Sequence, residues 1–282
     1  MINKVFKVIL YGIIVFFAVS YIVFTYVTRP SSTAAIMATY HDQGIQPVIE
    51  KNTYKHFEYR ALRINIDTVL PTIVFVHGTI GSVRDFETYI KTIALRKTAN
   101  IIAYDRIGYN YQSKDDVQES IAFERDMLIN ILQPLNKKKI ILIGYSYGGP
   151  IVLSVKEKFK KVMLLAPALY SEVEPMPWLV NLYKWKWTRW LIPEIWKQAS
   201  KEKLSHKSDL KKFERDWQRN PNDLVVIHGD ADRIVPYQNS KLLEQVYPKS
   251  RFELITIRGA GHGLVWTSFE RIYEVISKQL EV

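Results

Sequence analysis

The chain begins with an apolar pattern that differs from the rest of it. Residues 8–28 form a run without a charged side chain. As a helix rising 1.5 Å per residue, this run spans about 30 Å, which is the thickness of the hydrocarbon core of a bilayer. A helix in a soluble core usually keeps a polar stripe, and this run has none. Residues 1–28 are therefore predicted to be a transmembrane anchor, with a cleaved signal peptide as the alternative because small residues follow at 31–35.

The charges beside this run predict its orientation. Lys4, Lys7 and the amino terminus precede the run, whereas only Arg29 follows it before Asp42. Positive charge is retained preferentially on the cytoplasmic side of a membrane. We therefore expect the N-terminus in the cytoplasm and the remaining chain on the non-cytoplasmic side.

After the apolar run, short apolar segments alternate with helical patterns. Residues 29–52 are punctuated by proline and glycine and are predicted to be a tether, and 53–282 then form one domain. The strand candidates are 57–66, 72–76, 101–104, 140–143, 162–165, 224–227 and 252–257. Helical patterns, such as 85–96 and 121–132, separate most of them. This alternation predicts an α/β fold with a mostly parallel central sheet covered by helices on both faces, and sites at the carboxyl ends of its strands.

Charge and composition narrow the classes of function. The formal net charge is +11, which fits either nucleic acid or an anionic membrane surface. The basic residues are scattered and match no zinc-finger or RNA-binding spacing, so membrane proximity is the better interpretation and no nucleic-acid partner is expected. The absence of cysteine excludes disulfides, thiolate metal sites and a cysteine nucleophile.

The residues 144–148, Gly-Tyr-Ser-Tyr-Gly, stand between an apolar strand and a helical segment that begins near Pro150. A strand, G-x-S-x-G and a helix are the context of a nucleophile elbow. The turn is so tight that the positions two before and two after the serine must be small, and both are glycine. Ser146 is therefore the candidate nucleophile, and the nearby helix N-terminus favours a developing oxyanion.

A nucleophilic serine needs a base and a group that orients this base. His262 follows the last strand candidate and is flanked by glycines that let its loop enter a crowded site. Asp230 and Asp232 both follow the preceding strand, and either carboxylate is a candidate orienter. The order Ser, Asp, His is the order expected of one class of serine hydrolase.

Four segments together resemble the α/β-hydrolase fold superfamily, in its serine hydrolase, esterase and lipase-like form with a cap. Residues 76–82 resemble the His-Gly loop of the family, and 104–110 resemble its Asp-Arg-x-Gly-x-Gly segment, with Asn110 in place of the second glycine. The elbow and the two loops that carry the acid and the base complete the match. The resemblance covers the chain from about residue 53 to the C-terminus.

The resemblance implies a role for each residue. Ser146 would be the nucleophile, His262 the general base and Asp232 its orienter, because in similar loops the acid stands just before an x-x-Val-Pro segment. The oxyanion hole would be the backbone N–H groups of Tyr147 and Thr79, with Ile80 as the alternative to Thr79. His77 and His228 are interpreted as structural. Neither a metal-binding nor a phosphate-binding motif occurs, and no cofactor or metal is implied.

An insertion at about 168–221 stands where the family places a cap. It holds six of the seven tryptophans: Trp178, Trp185, Trp187, Trp190, Trp196 and Trp217. These rings either pack onto the sheet domain or form a lid that binds an acyl chain or touches a bilayer. Cations interleave with the tryptophans over 184–190, as they do in interfacial segments.

These features together predict a membrane-anchored serine hydrolase that cleaves carboxylic esters through an acyl-enzyme on Ser146. The anchor and the cap favour a small-molecule ester that is hydrophobic or lipid-like. Acyl transfer, thioester hydrolysis, amide hydrolysis and C–C bond hydrolysis use the same triad and remain alternatives. A non-catalytic membrane-tethered binding protein with a capped pocket is the alternative of another class.

Overall fold

The structure is a computed structural model that describes residues 2–110 and 115–281, with side chains from residue 4 onward. Met1 of the predicted anchor and Val282 of the predicted domain lie outside these residues. The strands are β1 (Val48–Tyr54), β2 (Phe57–Ile64), β3 (Thr72–Val76), β4 (Asn100–Tyr104), β5 (Ile140–Tyr145), β6 (Lys161–Leu165), β7 (Leu224–Gly229) and β8 (Phe252–Ile257).

Eleven α-helices lie in the described residues, most of them between the strands. They are α1 (Ile2–Val27), α2 (Thr33–His41), α3 (Glu87–Lys91), α4 (Ile93–Thr98), α5 (Ile121–Leu132), α6 (Gly148–Ser154), α7 (Val180–Lys184), α8 (Glu194–Leu210), α9 (Gln238–Val246), α10 (Leu264–Thr267) and α11 (Phe269–Glu281). Local chemistry explains where several of them begin. Ser120 caps α5 by accepting a hydrogen bond from the Phe123 N–H, and Pro193 directly precedes α8, where no helical N–H is needed.

The described strands form one sheet in the order β1-β2-β4-β3-β5-β6-β7-β8. Strand β2 is antiparallel to both of its neighbours, and every other pairing from β4 to β8 is parallel. Parallel strands need long crossover connections, and helices supply these between the strands. The carboxyl ends of the parallel strands therefore meet at one edge, where the candidate site lies.

Two hydrophobic clusters cover the two faces of the sheet. In β3, Val74 and Val76 pack with α5 and α6 on one face, whereas Ile73 and Phe75 pack with α3 and α11 on the other. Successive side chains of a strand point to opposite faces, so a strand buried on both faces is apolar at every position. The predicted α/β fold with a mostly parallel, doubly covered sheet is confirmed.

Residues 29–52 are not the predicted tether. Within them, α2 packs against the second face of the sheet with Ile36 and Tyr40 each 1% exposed, and β1 pairs along its whole length with β2. Ser32 caps α2, and the four-residue spacing of Ile36 and Tyr40 places both on one helix face. Proline and glycine in this segment mark turns, and they carry no information about these long-range contacts. The folded domain therefore begins before residue 53.

The cap and the N-terminal helix meet. Helices α7 and α8 lie in the insertion between β6 and β7, and the Phe24 ring of α1 contacts the Trp196 ring of α8 at 5.8 Å between centroids. Residues Lys4–Val27 of α1 are long and apolar enough to cross a membrane, and they are not buried against the domain. This helix fits both a membrane span and a signal sequence.

Candidate active site

Ser146 stands in a strained turn between β5 and α6. Its φ is +54°, in the left-handed region that side-chain-bearing residues rarely adopt. Such a conformation costs about 1–3 kcal/mol and persists only where the surroundings hold it. A Cβ on Gly148 would overlap the Val76 carbonyl oxygen, and one on Gly144 would overlap the Gly148 carbonyl, so both positions require glycine. The turn presents the serine hydroxyl at the carboxyl end of the sheet.

Two loops bring a histidine and a carboxylate to this serine. His262 Nε2 lies 2.9 Å from Ser146 Oγ, and His262 Nδ1 lies 2.7 Å from Asp232 Oδ2. An ionised carboxylate only accepts hydrogen bonds, so Nδ1 carries the ring proton and Nε2 accepts from the serine hydroxyl. This arrangement lets His262 take the Ser146 proton while Asp232 holds the ring.

The carboxylate of Asp232 is held by four donors. Its Oδ1 accepts from the N–H groups of Ile234 and Val235, both at 2.9 Å, and its Oδ2 also faces His228 Nε2 at 3.3 Å. Burial, the largest influence, would raise the pKa of Asp232, but the hydrogen bonds from His228 and His262 outweigh burial and hold this pKa well below its usual range. Asp232 therefore stays ionised and can stabilise an imidazolium.

Asp230 takes a different position. Its Oδ1 accepts from the Gly259 N–H at 2.7 Å and so joins the loop after β7 to the loop that carries His262. Of the two candidate carboxylates, Asp232 is the one that the structure places beside the His262 ring.

His228 contacts the site, although the sequence indicated only a structural residue. Its Nε2 faces both Asp232 Oδ2 and the Val235 carbonyl at 3.1 Å, and its Nδ1 lies 2.7 Å from Ser240 Oγ. Because both neighbours of Nε2 are acceptors, Nε2 carries a proton and donates. The sequence feature that could have indicated this contact is the position of His228 at the end of β7, four residues before Asp232.

The loop after β3 approaches the serine from the other side. A Cβ built on Gly78 would lie 3.3 Å from Ser146 Oγ. Within the described residues, the backbone N–H groups of Thr79, Ile80 and Tyr147 donate to no protein acceptor. They are available to a substrate oxygen, and the geometry leaves both Thr79 and Ile80 as partners for Tyr147.

His77 supports this loop. Its Nε2 accepts from the Arg106 N–H at 2.9 Å, and its Nδ1 donates to the Gly78 carbonyl at 2.7 Å. Burial first, and then the Arg106 charge, hold the pKa of His77 well below its usual range. The ring is therefore neutral, with Nδ1 bonded to this loop and Nε2 bonded to the segment that follows β4.

Comparison with known proteins agrees with this architecture. Residues 71–194 match a family model described as the alpha/beta hydrolase fold. A curated relative, 2-hydroxymuconate semialdehyde hydrolase from Pseudomonas putida, is 25% identical over 233 residues, covering 70% of this chain and 81% of its own. The bromoperoxidase structure from Bacillus anthracis aligns with a TM-score of 0.62 at 19% identity, over 84% of this chain and 100% of that one. An esterase from Exiguobacterium antarcticum aligns with a TM-score of 0.63 at 17% identity, over 84% and 98%.

The chain has the α/β-hydrolase fold. In this fold, the turn that carries Ser146 lies between β5 and α6, and the loops that carry Asp232 and His262 follow β7 and β8. Within residues 2–110 and 115–281, no group of three or more histidine, aspartate or glutamate side chains is placed to hold a metal ion.

A cavity of about 1270 Å³ opens onto Ser146, Tyr147 and His262. Its walls are mostly apolar, and Phe24 of α1 contributes to them. The cap supplies many of the other apolar walls, among them Met176, Leu179, Leu182, Leu191, Ile192 and Trp196. A polar group on one side, Glu174 with Lys203 and His206, belongs to the cap as well. A large apolar chamber therefore adjoins Ser146.

The cap tryptophans have three different environments. Trp217 is buried against the sheet domain, and its indole N–H donates to the Leu169 carbonyl at 3.0 Å. Trp196 lines the cavity. The other four are exposed on the surface, with Trp187 at 84% and Trp190 at 70%; they are Trp178, Trp185, Trp187 and Trp190. Packing onto the sheet domain therefore explains Trp217 and leaves the exposed group unexplained.

Proposed function

We propose that this α/β-hydrolase is a membrane-anchored serine hydrolase that cleaves carboxylic esters of hydrophobic, lipid-like acids. The observation that carries the proposal is the continuous hydrogen-bond line from Ser146 through His262 to the ionised Asp232, at the floor of an apolar cavity. A serine, a base and its orienter within hydrogen-bond reach are the requirement for nucleophilic acyl transfer.

The reaction proceeds in two steps, acylation of Ser146 and hydrolysis of the acyl-enzyme. Ser146 Oγ attacks the ester carbonyl carbon as its proton passes to His262 Nε2, and the carbonyl oxygen becomes an oxyanion that accepts from the N–H groups of Tyr147 and Thr79. The imidazolium then gives its proton to the departing alcohol, which leaves an acyl-enzyme. A water molecule, deprotonated by His262, attacks this ester, and Ser146 leaves with its proton restored as the free acid forms.

The cavity supports an acyl chain as the group that is bound. Each methylene transferred from water to an apolar wall contributes about 0.8 kcal/mol. Small-molecule sites usually enclose about 300–1,000 Å³, and this cavity is larger at about 1270 Å³. We therefore expect kcat/KM to rise with acyl chain length over several carbons.

The position of α1 supports a membrane-borne substrate. Phe24, in the last turn of the apolar helix, lines the cavity, so the cavity adjoins the end of the proposed span. The exposed Trp187 and Trp190 stand beside Lys186 and Arg189 on the cap. Tryptophan and basic side chains favour the interface of an anionic bilayer. With the N-terminus in the cytoplasm, the catalytic domain would act on the opposite membrane surface.

Labelling tests the nucleophile. The full-length chain in detergent is treated with a tagged fluorophosphonate, beside Ser146→Ala and the control Ser154→Ala, whose buried hydroxyl donates only to the Ile151 carbonyl. We expect labelling of the wild type and Ser154→Ala alone, and a loss of ester turnover of roughly 10⁶-fold in Ser146→Ala. Unchanged turnover in Ser146→Ala would refute the assignment. Absent labelling of a folded wild type would favour the binding-protein alternative.

A substrate panel tests the reaction class. Acetyl, butyryl, octanoyl and dodecanoyl esters are compared with the octanoyl thioester and amide, and with a monoacylglycerol. The panel also includes 2-hydroxymuconate semialdehyde, the substrate in the name of the Pseudomonas putida relative, as a hydrophilic substrate for comparison. Preference for the long oxyesters supports the proposal, and preference for any other class would replace it.

A further inference from the structure

One carboxylate of the cap reaches into the sheet domain. Glu202 on α8 is buried, and its Oε2 accepts from Thr79 Oγ1 at 2.6 Å and from the Tyr109 hydroxyl at 2.9 Å. Its Oε1 pairs with the guanidinium of Arg106. A single cap side chain therefore binds three groups of the sheet domain, and one of them belongs to the candidate oxyanion loop.

Another of these groups, Arg106, contacts the same loop. Its Nη1 donates to the Gly78 carbonyl at 3.2 Å, and its guanidinium lies 4.4 Å from the centre of the Tyr147 ring. The side chain is fully buried, so its charge needs a partner of opposite sign. Glu202 is in direct contact, whereas Glu124 is the more distant partner at 3.5 Å.

These contacts determine where the Thr79 N–H points. A peptide group is planar and trans, so the Gly78 carbonyl and the Thr79 N–H project to opposite sides of one rigid unit. His77 and Arg106 both donate to this carbonyl, at 2.7 and 3.2 Å. Holding the carbonyl away from the site directs the N–H on its other side, and Gly78 itself adjoins Ser146 Oγ.

The loop needs this restraint because it is strained. Ile80, next to Thr79, has a φ of +61°, which is unfavourable for a β-branched residue. Such a conformation persists only while its surroundings hold it. The hydrogen bond from Thr79 Oγ1 to Glu202 is the adjacent side-chain contact that opposes relaxation.

We propose that Glu202 is a positioning residue for the oxyanion hole, acting through Thr79 and Arg106. This inference rests on the proposed function. It makes the cap a part of the catalytic machinery as well as a cover for the acyl chain. Since the oxyanion exists only after attack by Ser146, loss of this positioning lowers kcat and leaves ground-state binding unchanged.

The test compares two buried carboxylates of the same helix in the full-length protein. Glu202→Gln keeps the size of the side chain, but one amide oxygen cannot accept from Thr79, Tyr109 and Arg106 together. The control is Asp209→Asn, whose buried carboxylate bonds the Ile121 N–H and Lys212 instead. We expect Glu202→Gln to lower kcat about 10–100-fold, with KM within about twofold, whereas Asp209→Asn keeps kcat within about twofold.

Affinity for a trifluoromethyl ketone, which forms a tetrahedral oxyanion adduct with a serine, should fall in Glu202→Gln in parallel with kcat. Thr79→Val removes the hydroxyl at nearly constant shape and should lower kcat, and Thr79→Ser should recover most of that loss. In the double variant, the losses of Thr79→Val and Glu202→Gln should combine to less than their product, because both break one contact. The Thr79 pair keeps the proposal testable if Glu202→Gln does not fold.

Two results would overturn the inference alone: an active wild type whose kcat is unchanged by Glu202→Gln and Thr79→Val, or an equal loss in Asp209→Asn. A folded wild type that neither labels with fluorophosphonate nor turns over an ester would contradict the proposed function, and this inference with it.

Discussion

Replacing Asp232 by asparagine should disable His262 through its tautomer. The Asp232 side chain accepts two backbone hydrogen bonds at Oδ1, from Ile234 and Val235, and these donors require an oxygen there. The amide nitrogen of asparagine would therefore occupy the Oδ2 position, 2.7 Å from His262 Nδ1. Because this nitrogen donates, Nδ1 must accept, and the ring proton moves to Nε2.

A ring protonated at Nε2 cannot take the Ser146 proton. We expect kcat to fall about 10⁴-fold, the size of the corresponding loss in a serine protease. This equals about 5.4 kcal/mol of barrier. Backbone packing should change little, since both Oδ1 hydrogen bonds survive. Thermal unfolding of Asp232→Asn therefore separates this effect from loss of the fold.

Initial rates of ester hydrolysis under saturating substrate measure this effect. Asp230→Asn is the matched control, because an asparagine oxygen can still accept from the Gly259 N–H. Its kcat should stay within about threefold of the wild type. A larger loss in Asp230→Asn than in Asp232→Asn, or a loss below tenfold in Asp232→Asn, would refute this reasoning.

Three further predictions follow from burial, backbone strain and the N-terminal helix. Burial, opposed by the Arg106 charge, raises the pKa of Glu124 to about 7. The folded state then binds more protons than the unfolded state between pH 4.5 and about 7, so this group costs stability as the pH rises through that window. In urea unfolding experiments, the free energy of unfolding of Glu124→Gln should therefore rise relative to that of the wild type between pH 5 and 8. A difference between the two proteins that stays constant with pH would contradict this. In the same experiment, Gly148→Ala should lower the free energy of unfolding by more than about 3 kcal/mol, because the added Cβ would overlap a carbonyl oxygen of β3. Gly259→Ala should lower it by about 1 kcal/mol, because the added Cβ has open space but φ is +71°. Deleting residues 1–28 should release a folded, active protein from the membrane fraction, because α1 is exposed; aggregation without activity would show that the helix belongs to the core.

Local pattern was sufficient for the fold class and the elbow. Buried parallel strands must be apolar on both faces, and this requirement appears directly as continuous apolar runs. The two glycines around Ser146 likewise indicate the elbow directly, because no other residue fits their positions. The packing of residues 29–52 has no such local signal, since the contacts of Ile36 and Tyr40 are made with strands and helices far along the chain.

The chain by itself determined its α/β architecture, its apolar N-terminal helix and the nucleophile candidate, all of which rest on periodicity or on short spacings, whereas the position of the cap came from the family resemblance. Only the tertiary structure decided which carboxylate stands beside His262, since Asp230 and Asp232 share one loop and differ in the direction of their side chains. It alone brought Glu202 to Thr79, across 123 positions of sequence. Hydrogen bonds between distant segments depend on how helices and loops pack, and no local pattern encodes that packing.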